Sequence, residues 1–414
     1  MRQPEVVVLG GGAAGFFAAI ACAETAPGTA VRLLEKAPRF LAKVRISGGG
    51  RCNVTNACFA PSELSAHYPR GGRSLIGPFQ VFQPRDTIEW FAARGVKLKT
   101  EPDGRMFPTT DSSQTIIDCL MDSARRAGVE LVANQAPVAV TRGAGSGFEL
   151  ILQRGEKLFC KRLLLATGGC RAAAAGQIAV SLGHTLEPPV PSLFTFHVAA
   201  PWLHALAGIS VTDAELSAPA ARLRERGAVL LTHAGLSGPA VLKLSAWGAR
   251  LLHNLGYNFA LRVNWLPSFD EAALIREFEE QRRKQPARFV VNTAFAARPN
   301  APPLAGRLWE SIIIEAGIAR QTRWAELSRS ARHRLIQQLS RTELQVNGKT
   351  LNQDEFVTCG GVRLSEVDFK TMESRICPGL YLAGELLDID GLTGGFNFQS
   401  AWTTGWIAGR SMAR

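Results

Sequence analysis

The chain has 414 residues, 46% of them hydrophobic and 20% charged, and its formal net charge is +12 at pH 7. This composition predicts a soluble globular protein of two or three domains and argues against a fibrous or disordered chain. The eight cysteines are scattered, with no Cys-x-x-Cys motif and no Cys/His cluster, so we expect no zinc, iron–sulfur or dithiol redox centre.

Residues 6–23 are apolar enough to resemble a membrane segment. Glycines interrupt this stretch, and neither a basic region nor a cleavage site accompanies it, so we expect no signal peptide or membrane anchor. A cytoplasmic protein with reduced cysteines is therefore predicted.

The first predicted element is a strand over residues 6–9, which leads into a Gly-x-Gly-x-x-Gly turn and a helix over about 13–23. Gly10 permits the tight turn, Gly12 lets the backbone approach a ligand, and Gly15 lets the helix pack against the strand. The N-terminal N–H groups of the helix then face the pyrophosphate of a dinucleotide. The predicted contacts are Gly10, Gly12, Ala13, Ala14 and Gly15.

A second strand over residues 30–34 ends in Glu35, which Lys36 follows. A carboxylate at this position accepts hydrogen bonds from a ribose 2′-hydroxyl and repels a 2′-phosphate. The first βαβ unit therefore favours FAD or NAD over NADP, without separating the first two.

A Gly-rich loop over residues 47–53 follows. The pattern beyond it predicts helices over 84–94 and 113–127, a strand over 129–133, a hairpin over 137–154 and a buried strand that begins at 161 and ends in a glycine turn over 166–169. From about residue 191 the pattern changes to short β-like runs and then to helices. The runs lie at 194–198, 229–232 and 259–263, and the helices at 270–284, 303–316 and 322–340.

The end of the chain returns to the first pattern. We expect a β-run over 343–346 with an Asn347-Gly348 turn, strands near 358–362 and 379–383, and a last helix over 399–412. The predicted class is α/β, with a Rossmann-like FAD-binding domain split by an inserted β-barrel-like domain and a helical domain. The predicted domains are 1–190 with 355–414, then 191–268 with 341–354, and 269–340.

Two later glycine segments distinguish FAD from NAD. Many FAD sites use a second segment near the C-terminus, in which a strand ends in Gly followed by an acidic residue. Here these residues are Gly384 and Glu385, and the acid is expected to bind ribityl hydroxyls. Thr167 and Gly168 form another glycine turn, and the glycines of residues 391–398 can lie against the isoalloxazine ring before the last helix. Together with the first turn, these segments predict FAD.

The charge of residues 281–341 is one-sided, with twelve Lys and Arg against three Glu. A solvated helical surface is the plain interpretation. Such surfaces usually mix both signs, so an anionic partner, RNA in particular, is the second hypothesis. The predicted RNA contacts are Arg282, Arg283, Lys284, Arg288, Arg320, Arg323, Arg332 and Arg334.

The chain resembles the YhiN/BaiN-type NAD(P)/FAD-dependent oxidoreductases, a bacterial flavoprotein family. The matching segments are KVRISGGGRCNVTN (43–56), GRMFP (104–108), THAGLSGP (232–239) and GELLDIDGLTGGFNFQSA (384–401). The resemblance implies an FAD domain split by a β-barrel and a helical insert, and it departs at Cys359, where we expect a small residue. With the motifs above, it predicts further FAD contacts at Glu35, Lys36, Lys43, Ser47, Gly48, Gly49, Arg51, Cys52, Val138, Thr167, Gly168, Gly384, Glu385, Gly394, Gly395, Phe396 and Asn397.

Members of this family are linked to the reduction of uridine to dihydrouridine in large-subunit ribosomal RNA, to bile-acid ring reduction and to aminoacetone oxidation. The basic segment favours RNA, because a steroid or aminoacetone requires no such charge. Trp309, Trp324, Phe289 and Phe295 stack bases there or form the core of the helices. A small-molecule oxidoreductase and a non-catalytic RNA-binding flavoprotein of ribosome assembly are the alternatives.

The implied reaction moves a hydride from reduced flavin to C6 of uracil and a proton to C5. Cys52, which the resemblance places near the isoalloxazine, is the candidate proton donor or else a packed thiol beside FAD. Arg51 and Arg45 are candidates for stabilising charge, whereas His233 fits a structural loop as well as a base. There is no second Gly-x-Gly-x-x-Gly unit. We therefore expect NADPH or NADH as a transient electron donor, or a partner reductase.

Overall fold

The computed structural model describes residues 3–143, 147–170, 173–293, 303–350 and 357–414. The chain divides into two compact units, Met1–Ser192 with Gln353–Arg414 and Leu193–Asn352. The three-domain division stays a prediction, and its boundary at 354/355 lies outside the described residues. None of the described helices is long and apolar enough to cross a membrane.

The first unit begins with alternating strands and helices. Their bounds are β1 (Val6–Leu9), α1 (Ala13–Thr25), β2 (Val31–Leu34), α2 (Ala42–Gly50), β3 (Thr55–Asn56), α3 (Pro61–Ser65), α4 (Gly72–Val81), α5 (Pro84–Ala92), β4 (Leu98–Thr100), β5 (Arg105–Pro108), α6 (Ser113–Arg126), β6 (Glu130–Val132), β7 (Pro137–Arg142), β8 (Phe148–Leu152), β9 (Lys157–Cys160), β10 (Arg162–Leu165), α7 (Ala173–Ser181) and β11 (Leu186–Ser192).

The second unit then occupies the middle of the chain. Its elements are β12 (Thr195–Val198), α8 (Pro201–His204), β13 (Ser210–Ala218), β14 (Leu223–Thr232), β15 (Gly235–Ser237), α9 (Pro239–Trp247), α10 (Ala249–Asn254), β16 (Asn258–Asn264), α11 (Glu271–Lys284), α12 (Gly306–Glu315), α13 (Arg329–Arg341) and β17 (Thr342–Thr350). The first unit resumes with β18 (Val357–Val362), β19 (Val367–Asp368), β20 (Glu373–Ser374), β21 (Leu380–Leu382) and α14 (Phe396–Met412).

A seven-stranded sheet forms the centre of the first unit, in the order β19-β20-β21-β10-β1-β2-β6. The five strands from β21 to β6 are parallel, and β19 and β20 are antiparallel. Val6 lies opposite Arg162 and Val31, and Leu163 lies opposite Leu380, so a strand from the end of the chain completes the sheet. β1 and β21 are buried throughout, as expected of strands covered on both faces.

Glycine lets α14 pack closely against α1. Gly405 and Gly409 lie one helical turn apart, and a Cβ on either would overlap the carbonyl oxygen of Ala14 or Ala18. Larger residues at these two positions would force the helices apart. The C-terminal helix thus supports the helix that follows the first glycine turn.

A closed barrel with the strand order β12-β15-β14-β13-β16-β17 forms the second unit together with its helices. Trp309 and Trp324 are 1% and 0% exposed, and their indole N–H groups donate to the Val290 carbonyl at 3.0 Å and to Thr293 Oγ1 at 2.9 Å. Both tryptophans therefore belong to the core of the helices, which was one of the two interpretations. The alternative, that they stack on bases, is wrong. Phe289 is half-buried, and Phe295 lies outside the described residues.

Two local predictions fail for identifiable reasons. No helix was predicted over residues 239–254, which lie between the predicted β-runs 229–232 and 259–263. Pro239 instead begins α9, because proline fits the first turn of a helix, where its missing N–H costs nothing. The Asn347-Gly348 pair was expected to form a turn, but it lies within β17 at a register shift opposite His197 and Val198.

Candidate active site

The first glycine turn has the geometry that a pyrophosphate site requires. Gly10 has φ +112°, and a Cβ there would overlap the Ala166 carbonyl. No atom lies within 4 Å of the position that a Cβ of Gly12 would take. Gly12 is also the N-cap of α1, without a side-chain cap and without an acid in the first turn of that helix. The first N–H groups of α1, including those of Ala13, Ala14 and Gly15, can therefore serve an anion.

Glu35 lies beside this turn, at the end of β2. Its carboxylate accepts hydrogen bonds from the N–H groups of Gly11 and Ala37, both at 2.7 Å. Lys36 is exposed in the following loop. The N–H of Gln135 donates to the Glu35 carbonyl at 2.9 Å, which brings the start of the next hairpin to the same place.

Val138 belongs to that hairpin. Pro137 pairs with Leu152 and Ala139 with Ile151, so Val138 is the bulged residue of β7. Its side chain is 64% exposed. A bulge leaves backbone groups outside the regular ladder, and any contact of Val138 with a cofactor is expected to use its backbone.

The loop after β10 contains an unsatisfied polar group. Thr167 Oγ1 is buried and has no hydrogen-bond partner among the described residues. The next residue, Gly168, has φ +78° and borders open space on the side where a Cβ would lie. A buried hydroxyl without a partner is costly, so this loop is suited to a polar ligand.

Glu385 joins this region to α2. Its Oε2 lies 2.6 Å from Lys43 Nζ, and its Oε1 accepts the Thr358 N–H at 2.9 Å. Gly384 precedes it with φ +72°, and its N–H donates to Thr404 Oγ1 at 3.0 Å. Two predicted cofactor residues, 342 positions apart in the chain, are thus in direct contact.

The Gly-rich loop meets the residues that precede α14. The Asn53 amide donates to the Thr55 carbonyl and accepts the Gly395 N–H, both at 3.0 Å. Asn56 Nδ2 donates to the Gly394 carbonyl at 3.0 Å. Asn397 pairs through its amide with the backbone N–H and carbonyl of Gly391, at 2.8 and 2.9 Å. These amides hold the two glycine segments side by side.

Open space remains around the Gly-rich loop. The backbone leaves the helical conformation at Ser47, Gly48 and Gly49, within α2. No atom lies within 4 Å of a Cβ placed on Gly49 or Gly50. We call Gly12, Gly49, Gly50, Gly168 and the Thr167 hydroxyl the cradle; the space beside each glycine and the buried hydroxyl without a partner are compatible with FAD.

Arg51 is held by neighbours of the loop. Its Nη1 lies 2.7 Å from Glu101 Oε1 and 3.5 Å from Asp111 Oδ1, and its guanidinium carbon lies 3.9 Å from the centroid of the Phe107 ring. The hydrogen bond with Glu101 raises the pKa of Arg51. Arg45 Nη1 donates to Gln114 Oε1 at 2.7 Å, whereas the buried Nε of Arg45 has no hydrogen-bond partner among the described residues.

Cys52 is fully buried, and its φ of +60° is uncommon outside glycine. Burial raises the pKa of its thiol to about 12, against a smaller lowering by a hydrogen bond with Ser47. The thiol therefore keeps its proton at neutral pH, as a donor must before it acts. The proton-donor role stays a prediction.

A buried ion pair that was not predicted lies near the final glycine segment. Arg70 makes a two-pronged contact with Asp390, which has no exposed surface and also accepts the Ser192 hydroxyl at 2.7 Å. Burial raises the pKa of Asp390, and Arg70 opposes that rise. Nearby, the His67 ring stacks on Phe396 with 4.2 Å between centroids. An Asp within an apolar Ile-Asp-Gly-Leu context was the available signal.

The predicted RNA contacts of the helices all have partners within the chain. Arg283 and Lys284 both contact Glu280, at 2.9 and 2.8 Å, and Arg334 Nε donates to the Ala316 carbonyl at 2.8 Å. The remaining partners are Ala325 for Arg282, Gln285 for Arg288, Glu310 for Arg320, the Phe289 ring for Arg323 and Glu279 for Arg332.

The excess of positive charge in residues 281–341 depends on the choice of residue 281 as the first residue. Residues 269–340 contain twelve Lys and Arg but also eight Asp and Glu, five of which precede residue 281. The helical surface therefore mixes signs, contrary to expectation. RNA binding by the eight cations stays a prediction. Among the described residues, no group of His, Cys, Asp and Glu could hold a metal ion.

The parallel sheet, the open glycine turn and the cradle around it define a class, the Rossmann-type FAD-binding proteins. The chain belongs to the family described as HI0933-like protein Rossmann domain, whose sequence model matches residues 4–411. The predicted fold class is confirmed, and so is the predicted family of FAD-dependent oxidoreductases.

Curated relatives match the chain over nearly their whole length. The 3-dehydro-bile acid delta(4,6)-reductase of Clostridium scindens is 32% identical over 99% of this chain and 99% of that protein. The ribosomal RNA dihydrouridine synthase of Escherichia coli is 30% identical over 100% of this chain and 98% of that protein. The synthase of the same name from Haemophilus influenzae is 28% identical over 100% and 99%.

Solved structures share the fold. The 3-ketosteroid delta1-dehydrogenase of Sterolibacterium denitrificans superimposes with a TM-score of 0.53 at 12% identity, covering 100% of both chains. The 3-ketosteroid-delta4-(5alpha)-dehydrogenase of Rhodococcus jostii gives 0.51 at 15% identity, covering 100% of this chain and 97% of that one. At such identities the likeness concerns the fold alone.

Proposed function

We propose that this protein reduces a uridine of large-subunit ribosomal RNA to dihydrouridine, with FAD as cofactor. The observation that carries the proposal is the full-length similarity to two ribosomal RNA dihydrouridine synthases, at 30% and 28% identity. The net charge of +12 supports it, because an RNA substrate is a polyanion.

The cradle residues would hold the cofactor in three parts. The N–H groups at the start of α1 would bind the pyrophosphate, Glu35 would bind a ribose, and Glu385 with Lys43 would contact the ribityl chain. The Gly-rich loop and the segment before α14 would border the ring. When bound, FAD supplies the hydride for reducing a carbon–carbon double bond.

The chain itself must supply a proton and stabilise charge. Uridine accepts the hydride at C6 and a proton at C5, so the product gains two electrons and two hydrogens. We propose that the protonated Cys52 thiol donates that proton and that Arg51 or Arg45 stabilises negative charge on the uracil carbonyl. The electrons would come from NADPH or NADH, which would visit the site transiently.

A second candidate function is supported by the 32% identity to the bile-acid reductase. A double bond conjugated to a carbonyl accepts a hydride and a proton in the same way as uracil does. The same residues could therefore reduce a steroid enone. An anaerobic single-turnover assay of the reduced protein with a 3-oxo-Δ4 steroid and with large-subunit ribosomal RNA would separate the two substrates.

The decisive experiment measures dihydrouridine in large-subunit ribosomal RNA by mass spectrometry in a deletion strain. Wild type and Gly77→Asp should restore the modification, whereas Gly12→Asp should not. Gly12 (φ −93°) and Gly77 both border open space, so aspartate fits either position sterically, but only at Gly12 does it oppose a pyrophosphate. Unchanged dihydrouridine in the deletion strain contradicts the proposal. If ribosome assembly needs the protein and Gly12→Asp restores it fully, the non-catalytic alternative is correct.

A further inference from the structure

The loop between α3 and α4 lies along the segment of residues 390–396, which leads into α14. The His67 carbonyl accepts the Leu392 N–H at 2.9 Å. The backbones of Arg70 and Asp390 form an antiparallel bridge, although 320 positions separate the two residues. The path of the 390–396 segment therefore depends on contacts with a loop from the first third of the chain.

A tyrosine of the same loop reaches the far end of the segment. The Tyr68 hydroxyl donates to the Phe396 carbonyl at 2.6 Å. Burial raises the pKa of Tyr68 well above its ordinary value, so the hydroxyl keeps its proton and stays a donor. A Cβ on Gly391 would lie 3.0 Å from Tyr68 Cε1 and 2.9 Å from Phe396 Cβ, which is too close for most residues. Loop and segment are thus in tight contact here.

The ion pair between Arg70 and Asp390 joins the loop to the start of the segment. Nε and Nη2 of Arg70 each donate to a different carboxylate oxygen, and Nη2 also lies 3.3 Å from Ser192 Oγ. The Arg70 side chain is 12% exposed, and that of Asp390 is not exposed. Taking two charges out of water is expensive, and in some proteins a buried pair specifies one arrangement of the chain rather than adding stability.

We propose that Arg70 positions the flavin ring by holding Asp390 and, with it, the 390–396 segment. Arg70 is a positioning residue, because it acts through Asp390. The N–H groups of a segment that borders the ring are hydrogen-bond donors, and donors fixed in advance stabilise the negative charge that a flavin gains on reduction. A looser segment would stabilise that charge less. This inference rests on the proposed place of FAD beside the segment, whichever substrate FAD reduces.

The test measures the midpoint potential of the bound flavin by equilibration with a reference dye. Arg70→Lys keeps a charge beside Asp390 but cannot form the two-pronged contact. It should weaken binding of reduced relative to oxidised flavin about tenfold, which lowers the potential by about 30 mV for a two-electron couple. Tyr68→Phe removes one hydroxyl and should lower the potential by less. The matched control is Arg226→Lys, which changes a two-pronged pair with Asp213 in the second unit and should leave the potential unchanged.

Hydrogen exchange of the full-length protein, with and without flavin, provides a second measurement. In Arg70→Lys, the peptide that contains residues 390–396 should exchange about tenfold faster than in wild type, because the segment has lost its anchor. The peptide of β1 should exchange at the wild-type rate. The acceleration should also occur without flavin, since the contacts of Arg70 belong to the chain itself.

The outcomes separate a positioning role from a structural one. An unchanged potential in Arg70→Lys overturns the proposal, and faster exchange with an unchanged potential leaves Arg70 with a structural role alone. If Arg70→Lys does not retain flavin, Tyr68→Phe decides by the same two measurements. If potential and exchange change as expected while the deletion strain keeps its ribosomal dihydrouridine, the positioning role stands and the proposed function fails.

Discussion

The glycine loops of the first unit leave backbone and hydroxyl groups open, whereas the eight predicted RNA-binding cations of the second unit all have partners within the chain. Around the loops, Gly12 and Gly168 border open space, and Thr167 Oγ1 has no partner among the described residues. In the helices, Arg283 and Lys284 share one carboxylate, that of Glu280. A ligand could complete the first arrangement, whereas the predicted RNA-binding cations already have partners within the chain.

The largest effect is expected when the open space beside Gly12 in the first glycine turn is filled. Gly12→Asp should abolish flavin binding, because its carboxylate would occupy the space that we assign to the pyrophosphate and would repel it. The affinity for FAD should fall at least about tenfold, equivalent to ~1.4 kcal/mol of binding free energy, and the flavin-to-protein ratio from absorbance should fall with it. Gly77→Asp is the control and should keep its flavin. A flavin-loaded Gly12→Asp protein would show that this turn does not hold the cofactor.

The two regions should also differ in what a cation contributes to stability. Removing Arg70 leaves the fully buried Asp390 without its ion-pair partner, so Arg70→Met should lower the free energy of unfolding by about 3–5 kcal/mol. Arg320 pairs with Glu310 at the surface, with 65% of its side chain exposed, and Arg320→Met should cost about 1 kcal/mol or less. Urea unfolding of both variants provides the comparison. Equal losses would contradict it.

Sequence patterns predicted what local backbone geometry controls. The glycine turn of residues 10–15 and the Gly384-Glu385 pair were placed correctly beside a parallel sheet, because positive φ and close approach require glycine. The pairing of Arg283 and Lys284 with Glu280 follows helical spacing and was missed because the basic segment was taken to begin at residue 281. The pairing of Arg332 with Glu279 was not predictable, because 53 positions separate them and only tertiary packing brings them together.

Alkaline pH should destabilise the first unit, which contains all eight cysteines. The Cys52 thiol has a pKa of about 12 when folded against 9.0 ordinarily, so the unfolded chain releases its proton first. Stability is therefore intact below pH 9 and declines as the pH rises toward 12, by up to about 1.4 kcal/mol per pH unit for this thiol. Cys52→Ala should show a shallower decline in urea unfolding at stepped pH. An identical slope would mean that the thiol ionises equally in both states.

The smallest effect is expected when the cations of α11 lose their acidic partner. The experiment tests whether pairing with Glu280 keeps Arg283 and Lys284 from binding RNA. The side chains of Lys284 and Arg283 lower the pKa of Glu280 by hydrogen bonding, so its stabilising contribution is present above its ordinary pKa and is lost as the pH falls. Glu280→Gln releases both cations without removing either. If compensation keeps them from binding RNA, oligouridylate affinity at low salt should rise by about two- to threefold, and the gain should vanish at high salt. Gln281→Asn, which changes no charge on the same helix, is the control. An unchanged affinity in Glu280→Gln would mean that these side chains lie away from the path of the RNA. The contrast between the two regions would then be one of position rather than of charge.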